Sequence, residues 1–463
     1  MRWSSGPAPA QRRREGRAQR TRVPRRALAQ LALRPEDETP FAGLEDDDGR
    51  LESLVRLRYQ RLVASPVAFL RGSAGRMSDD LARAPSTEID VQLCGDAHAE
   101  NFSLITTPTG RRVLDVADFD ETARGPFEWD VKRLAASLVV AADHLGYAAA
   151  AQERVARAAA REYQRTIARL SRRPRMEVWH AALDADPLDR RLLALFSEPA
   201  QRRVDQVIGP VTRRTSGRAY GSLLAYRRGE PRIRLDSPHV TALDDDEARV
   251  TLARVLSRYA ASLGDDRRAL LAQFTPVEVA REVVGIASVG REDYVVLLLG
   301  RDAGDPLVLR VREAVASSVT RARGVEERRP AGERVVAGQR LLESAPDELL
   351  GWYDAPAGGR DRSFYVRRLD PHRAAVDLAR LDRRGLEAYG RACARVLARA
   401  HARSGSSDLI AGYLGEGDRF VSAIAEFAQA YRTRNEADWR RSRRALRRGC
   451  PDGAPRGGVA TSA

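Results

Sequence analysis

Two stretches, CGDAHAENF (Cys94–Phe102) and ADFDET (Ala117–Thr122), constrain the fold of this chain more than any other feature. The sequence that joins them, FSLITTPTGRRVLDVADFD, has two short apolar runs around Pro-Thr-Gly, which is typical of a β-hairpin. A hairpin returns the chain to the edge from which it started. Asn101 and Asp118 flank its two strands and are therefore expected at the same end.

A carboxylate, a carboxamide and a second carboxylate in this order suit phosphoryl transfer from a nucleotide. That reaction needs one carboxylate to orient or deprotonate the attacking hydroxyl, and hard oxygen ligands for the magnesium that bridges the phosphates. Asp96 is the candidate base. Asn101, five residues later, is the first candidate magnesium ligand, and Asp118 and Asp120 are the further candidates. A plainer interpretation stays open, in which Asp96 and Asn101 cap a turn and Asp118–Glu121 form a solvated loop.

The histidines bear on a second kind of site. The sequence GDAH matches the Asp-x-His that opens binuclear metallophosphoesterase sites, which also need further histidines and an Asn-His pair. The remaining histidines never occur as Asn-His or His-x-His: His144, His180, His239, His372 and His401. This reaction class is therefore disfavoured, and His98 is expected to brace the loop through hydrogen bonds.

A glycine-containing loop, Gly285–Gly290, lies between two β-type runs. Such a loop can fold over phosphates because small residues let backbone N–H groups approach the anion. The candidate nucleotide contacts in it are Gly285, Ala287, Ser288 and Gly290. An ordinary hairpin turn is the competing interpretation.

Arg312 stands twenty-two residues beyond Gly290, on the next predicted hairpin. Arginine can hold a phosphate through two parallel hydrogen bonds, although it does not replace lysine at a tuned site. Arg312 is therefore the fifth candidate nucleotide contact, with an exposed strand arginine as the alternative.

The remaining pattern predicts a mixture of helices and strands, hence an α+β protein. A helix is expected from Pro126, because Leu134, Leu138, Ala142 and Leu145 recur at intervals of four, four and three residues. Residues 1–45 are expected to be a disordered basic tail, and 46–270 a helical lobe that carries the catalytic-type loop and the metal-binding hairpin. Residues 271–370 are expected to form a small strand-rich lobe that binds the nucleotide. Residues 371–431 return as helices to the helical lobe, and 432–463 form a second basic tail, partly disordered.

Charge is concentrated at the two ends of the chain. Of the net charge of +15, residues 1–30 carry +8 and residues 432–463 carry +6. The ends could contact nucleic acid or another polyanion weakly, through contacts that salt would suppress, or they could be solvated tails. No apolar run approaches twenty residues, which argues against a membrane span, and the three scattered cysteines suggest no disulfide framework. A cytoplasmic location is the resulting expectation.

Seven motifs in one order resemble a known bacterial family. They are CGDAHAENF, DVADFDET, GPFEWDVKRLAAS, VGIASVG, ERVVAGQRLL, FYVRRL and LARAHARSG. Together they look like the family called domain of unknown function 2252, and the likeness runs from about residue 45 to residue 440. That family is similar in turn, more remotely, to the protein-kinase-like superfamily, especially the aminoglycoside phosphotransferases, whose catalytic loop reads HGD-x-H-x-x-N.

The resemblance implies a site and its cofactors, magnesium and ATP. Asp96 would be the base, Asn101 and Asp118 would bind the metal, and Asp130 would brace the backbone of the catalytic loop. The residues implied to cover the phosphates are Gly285, Ser288 and Gly290.

The order of the motifs implies a rearranged fold. The catalytic-type loop precedes the glycine loop by about 190 residues, the reverse of the order in kinases. Circular permutation explains this order and costs little when chain termini lie close together at the surface. The expected fold is a circularly permuted protein-kinase-like fold, with a large helical lobe, a small antiparallel-sheet lobe and LEAYGRACARVLARAHARS as the helix that leads into the catalytic loop. An accidental match of one motif is the other explanation.

The expected function is magnesium-dependent transfer of the γ-phosphate of a nucleotide to a hydroxyl of an unknown small molecule or protein. Family members typically have glycine where Ala287 stands and lysine where Arg312 stands, so the nucleotide side departs from the pattern. The alternative is therefore a catalytically degenerate kinase-like binding protein whose basic tails contact polyanions.

Overall fold

A computed structural model shows how these segments are arranged. It describes residues 8–34, 38–42, 44, 50–107, 112–182, 220, 223–237, 239–283, 285–286, 289–357, 360–369 and 373–448. Within these residues, helices and antiparallel sheets are both abundant, so the α+β prediction is confirmed.

The helices come mainly before and after the large sheet. In chain order they are α1 (Pro9–Arg22), α2 (Glu52–Leu62), α3 (Pro66–Gly72), α4 (Ala74–Ala82), α5 (Phe127–His144), α6 (Ala149–Leu170), α7 (Arg175–His180), α8 (Asp245–Arg254), α9 (Asp265–Leu271), α10 (Ser318–Ala322), α11 (Ala331–Leu342), α12 (Arg383–Ser404), α13 (Ser407–Leu414) and α14 (Arg419–Arg448). Short 3₁₀ turns cover Arg25–Ala29, Ala99–Asn101 and Leu378–Arg380, and a π-helical turn covers Val255–Tyr259.

The strands form four antiparallel sheets. In chain order they are β1 (Asp90–Leu93), β2 (Phe102–Thr106), β3 (Arg112–Val116), β4 (Ala123–Pro126), β5 (Leu224–Arg227), β6 (Glu230–Ile233), β7 (Val240–Ala242), β8 (Thr275–Glu282), β9 (Tyr294–Leu299), β10 (Pro306–Ala314), β11 (Gly351–Ala357), β12 (Arg360–Arg368) and β13 (Ala374–Ala375). The large sheet has the order β11-β12-β10-β9-β8-β7, and the smaller ones are β13-β2-β3, β1-β4 and β5-β6.

The predicted hairpin is confirmed as the pair β2–β3. Phe102 pairs with Val116, and the N–H of Ala117 donates to the carbonyl of Asn101 at 2.9 Å. The Pro-Thr-Gly turn itself, residues 108–110, lies outside the described residues.

Helix α5 runs through the centre of the main hydrophobic core. Pro126 precedes it, where the missing N–H costs nothing, and the acidic residues Glu128 and Asp130 lie in its first turn. Every residue from Phe127 to Ala142 is buried, because α6, α12, α14 and β1 cover all of its faces. The helix predicted after Pro126 is thus confirmed, and it is interior.

The large sheet begins earlier in the chain than predicted. Strand β7 pairs with β8 through Val240 and Glu282, and the core beneath the sheet includes Tyr259, Leu263 and Leu271. The stretch 240–271 therefore packs with the sheet, although the sequence placed it in the helical lobe. Three residues of strand and two short helices give a weak periodic signal, which explains the difference.

The structure also differs from the expected disordered tail over Pro9–Arg22. This segment is helix α1, and it packs closely on α13: a Cβ added at Gly16 would lie 2.0 Å from the carbonyl oxygen of Leu409. Arg13 pairs with the buried Asp408 at 3.1 Å. At the other end, α14 continues as helix to Arg448, so part of the second basic tail is also helical.

Helices that could cross a bilayer are absent from the described part of the chain, since each is too short or too polar.

Candidate functional site

The loop Cys94–Asn101 joins β1 to β2 and carries the candidate base. Gly95 has φ +84, and a Cβ at this position would lie 2.0 Å from the carbonyl oxygen of Glu121. Only glycine accepts both the left-handed backbone and this close approach. The contact brings the loop of Asp96 against the loop that follows Asp118.

Asp130 braces this loop from helix α5. Its carboxylate accepts hydrogen bonds from the N–H groups of Cys94 and Gly95, at 2.8 and 3.0 Å, and the residue is 1% exposed. His401 Nε2 lies 3.2 Å from the same carboxylate, and Tyr163 Oη lies 2.8 Å from His401 Nδ1. These hydrogen bonds hold the backbone that leads into Asp96. Sequence reasoning gave no role to His401, although LARAHARSG was one of the seven motifs.

The two carboxylate oxygens of Asp96 differ in their contacts with the described residues. Both Nε and Nη2 of Arg133 contact Oδ1, at 2.9 and 2.8 Å, whereas the contact of Oδ2 within this part of the chain is His98 Nε2 at 3.6 Å. Burial raises the pKa of Asp96 above its ordinary value, and Arg133 offsets this only in part. Burial, Arg133 and Arg71 lower the pKa of His98 well below its ordinary value, so the imidazole is neutral. An oxygen of raised basicity beside a neutral imidazole is suited to accept a proton.

Asn101 joins the loop of Asp96 to the loop of Asp118. Its Nδ2 donates to the carbonyl of Asp96 at 2.9 Å and to the carbonyl of Asp118 at 3.2 Å. Because both N–H groups of the amide are used in this way, the amide oxygen is the atom that could bind a cation. The hairpin and this amide together bring three predicted residues to one place.

Asp118 and Asp120 lie around the guanidinium of Arg312. Nη1 is 3.6 Å from Asp118 Oδ2 and Nη2 is 3.1 Å from Asp120 Oδ2, while the hydroxyl of Tyr365 donates to Asp120 Oδ1 at 2.7 Å. Burial acts to raise the pKa of Asp118, but Arg312 and Arg367 outweigh it and the pKa lies below its ordinary value. Burial raises the pKa of Asp120 to about 6, opposed by Arg312.

The backbone on either side of Asp118 is held by arginines to which the sequence assigned no role, although Arg334 and Arg367 lie in two of the seven motifs. Arg367 and Arg373 both donate to the carbonyl of Ala117, the first at 3.2 Å. Arg334, from helix α11, donates to the carbonyls of Asp120 and Thr122 at 2.8 and 2.6 Å. These contacts fix the direction in which the two carboxylates point.

The glycine loop lies between β8 and β9, as predicted, and its carbonyls face the N-terminal segment. The N–H of Leu51 donates to Gly290 O at 2.7 Å, Arg50 Nη1 to Val289 O at 2.7 Å, and Arg61 Nη1 to Gly285 O at 3.0 Å. Ala287 and Ser288 lie outside the described residues. The loop is therefore fastened to helix α2 and the residues before it.

Arg312 is on β10, the strand that follows the loop strands, and it is 7% exposed. The alternative of an exposed strand arginine does not hold. Its contacts are carboxylates, and the guanidinium carbon also lies 5.8 Å from the ring centre of Tyr365.

The donors of the site fit magnesium in kind. Among the residues described, no three histidine, cysteine, aspartate or glutamate side chains form a ready-made metal cage. Magnesium needs none, because one or two carboxylates with water and phosphate oxygens complete its shell. Asp118 and Asp120 already surround a cationic group and their side chains are 40% and 33% exposed. These two carboxylates and the Asn101 amide oxygen could therefore hold the ion.

Comparison with known proteins supplies the family. The model of a family described as an uncharacterized protein conserved in bacteria (DUF2252) matches residues 50–445. The chain belongs to the DUF2252 family. The match includes every predicted site residue of this DUF2252 chain. No curated protein and no solved structure matches the chain.

Proposed function

We propose that this DUF2252 protein is a magnesium-dependent phosphotransferase that moves the γ-phosphate of a nucleotide to a hydroxyl of a small molecule or protein. The observation that carries the proposal is the amide of Asn101, which ties the loops of Asp96 and Asp118 together. A base, an amide oxygen and a carboxylate at one place are the protein groups that this reaction requires.

Each residue has a role that follows from its surroundings. Asp96 accepts the proton of the attacking hydroxyl through Oδ2, since Arg133 engages Oδ1. Asn101, Asp118 and Asp120 provide the oxygen ligands, and bound magnesium would neutralise charge on the phosphates. Asp130 keeps Asp96 in place by fixing the two preceding backbone N–H groups.

A circularly permuted kinase-like fold is part of this proposal. The end of helix α12 lies against the start of β1: the N–H of Gln92 donates to Ser404 Oγ at 3.2 Å, and a Cβ at Gly405 would lie 3.3 Å from Asp90 O. If the chain ran directly from the end of α12 into β1, α12 would lead into the catalytic loop, as the resemblance implies. The sequence β8, glycine loop, β9 and β10 with Arg312 supports the same arrangement, because kinases place their phosphate-binding lysine on the third strand.

Thermal unfolding of the full chain with ATP, GTP or ADP at millimolar concentration, with and without magnesium, tests the proposal. A magnesium-dependent rise in Tm is expected for at least one nucleotide. Asp118→Asn should abolish the rise, whereas Asp361→Asn, an exposed aspartate on β12, should leave it intact. The absence of any shift with the native chain would refute the nucleotide site.

A second candidate is a nucleotide-binding protein without catalysis, whose basic termini contact polyanions. The observation that favours it is the contact of Arg312 with the candidate metal ligands, which leaves Arg312 less free to hold phosphate. This candidate would be selected if nucleotide raised the Tm of the native chain and of Asp96→Asn equally, and if neither chain released or transferred phosphate.

A further inference from the structure

Arg312 contacts three carboxylates that differ sharply in their access to solvent. Besides Asp118 and Asp120, its Nε lies 3.6 Å from Asp293 Oδ2. The side chains of Asp118 and Asp120 are 40% and 33% exposed, whereas Asp293 is 1% exposed. A cation that arrives from solvent therefore reaches the first two carboxylates and not the third.

Asp293 and Arg312 each have a side-chain atom that could form a hydrogen bond with the other. Asp293 Oδ1 accepts the N–H of Glu313 at 3.1 Å, but Oδ2 and Arg312 Nε are both buried and have no hydrogen-bond partner among the residues that the structure describes. Their separation of 3.6 Å exceeds hydrogen-bond range, so a small movement of the guanidinium toward Asp293 would satisfy both. Asp293 also stands three residues beyond Gly290, and it therefore links Arg312 to the end of the glycine loop.

We propose that Arg312 and a divalent cation compete for Asp118 and Asp120, and that Asp293 is the positioning residue that retains Arg312 once the cation has taken them. This inference rests on the proposed function, which places the cation at these carboxylates. A guanidinium and a divalent ion repel each other strongly at contact distance in a partly buried site. The buried Asp293 supplies the charge partner that Arg312 would otherwise lose.

The competition has a consequence for the nucleotide. Arg312 turns its two Nη donors away from the carboxylates only when the cation is present, and those donors are then free for a phosphate. Metal and nucleotide therefore bind cooperatively, each with higher affinity when the other is bound.

Binding of Mn²⁺ to the full chain without nucleotide, followed by the electron paramagnetic resonance of free Mn²⁺, tests the competition. Arg312→Gln should bind Mn²⁺ roughly fivefold more tightly than the native chain, because two carboxylates lose their internal cation. Arg310→Gln is the matched control: Arg310 lies on the same strand but pairs with Glu282 at 2.7 Å, and its removal should not change the affinity.

The role of Asp293 is tested by ADP binding at saturating Mn²⁺. Asp293→Asn should weaken ADP binding about tenfold, since Arg312 is no longer retained. Glu282→Gln, which removes the acidic partner of Arg310, should leave ADP binding unchanged.

The outcomes separate this inference from the proposed function. Native chain that binds Mn²⁺ as tightly as a folded Arg312→Gln variant would overturn the competition and leave the metal site standing. Failure of every chain to bind Mn²⁺ would overturn both. Circular dichroism shows whether Arg312→Gln is folded. Where it is not, Arg312→Met, which also removes the positive charge, takes its place, and affinity no higher than native would again refute the competition.

Discussion

Position 95 shows how one residue determines where the candidate base lies. Its backbone has φ +84, and its α-carbon faces the carbonyl of Glu121 so closely that a Cβ would be 2.0 Å away. Asp96 is the next residue, so the close approach sets the distance between the base and the Asp118 loop.

Gly95→Ala is expected to destabilise the fold by about 3 kcal/mol or more, since it adds a backbone clash to the strain of a positive φ. Gly146→Ala is the matched control, because Gly146 has φ +75 but nothing within 4 Å of the added Cβ. Strain alone should cost that variant about 1 kcal/mol. Urea unfolding measures both, and equal losses would contradict the close contact.

Glu343, the residue that follows helix α11, should make the stability of the protein depend on pH. Burial, and then the charge of Asp115, raise the pKa of Glu343 to about 8. Because the folded state holds this proton more tightly than the unfolded state, the stabilisation is complete below the ordinary carboxyl pKa and is lost as pH rises towards about 8.

Between pH 5 and pH 8, the free energy of unfolding of Glu343→Gln should therefore fall by roughly 3 kcal/mol less than that of the native chain. Gln339 Nε2, 2.8 Å from the carboxylate, can donate equally to the amide oxygen of the variant. Parallel pH profiles from denaturant unfolding would contradict the raised pKa.

The sequence indicates candidate residues that are close together in the chain, but it gives no sign of the arginines that tertiary packing brings beside them. Asp96, Asn101 and Asp118 lie around one hairpin, and the structure places them together. No local spacing points to Arg133, Arg334 or Arg373. Arginine at a given position is weak evidence of a role in this chain, because 78 of its 79 lysine and arginine residues are arginine. Their contacts depend on tertiary packing.

Among the elements, helix α2 and the glycine loop form a contact that joins the N-terminal segment to the large sheet. Arg61 donates to Gly285 O at 3.0 Å, and its Nη2 lies 3.2 Å from His239 Nδ1 beside β7. Ile286 packs with the hydrophobic cluster that includes Tyr59, Leu62 and Phe69. The position of the loop therefore depends on α2.

Arg61→Ala should increase hydrogen exchange in the peptide that covers residues 285–290, while global stability changes by less than about 1 kcal/mol. Arg56→Ala, at an exposed position of the same helix, provides the control and should not alter exchange in that peptide. Exchange that is equal in the two variants would show that Arg61 does not hold the loop. Mass spectrometry of the exchanged peptides measures the effect.

Elements with a strong local pattern were predicted well. The hairpin β2–β3 and helix α5 follow from turn residues and periodic apolar positions. Helix α1 was not predicted because its arginine-rich sequence lacks an apolar stripe, and it is instead held by close packing on α13 and the ion pair of Arg13 with Asp408. The spacing of apolar residues in the sequence does not reveal stabilisation of this kind.

For the whole molecule, the proposed site has the catalytic-type loop on one side and the glycine loop on the other, despite their order in the chain. Arg312 links the two sides, since it lies on strand β10 of the large sheet and contacts Asp118 and Asp120 in the loop between β3 and β4. Sequence alone gave the mixed fold class, but the early start of the large sheet at β7 depends on a pairing with β8 across a long separation.

The position of a bound metal tests the central claim most directly. Crystals of the full chain grown with Mn²⁺ and a non-hydrolysable ATP analogue would locate the ion through the anomalous scattering of manganese. We predict one manganese peak within coordination distance of the Asn101 amide oxygen and an Asp118 carboxylate oxygen, with the triphosphate on the side of Gly285–Gly290. An ion bound elsewhere, or an empty site with Asn101 and Asp118 turned apart, would contradict the account.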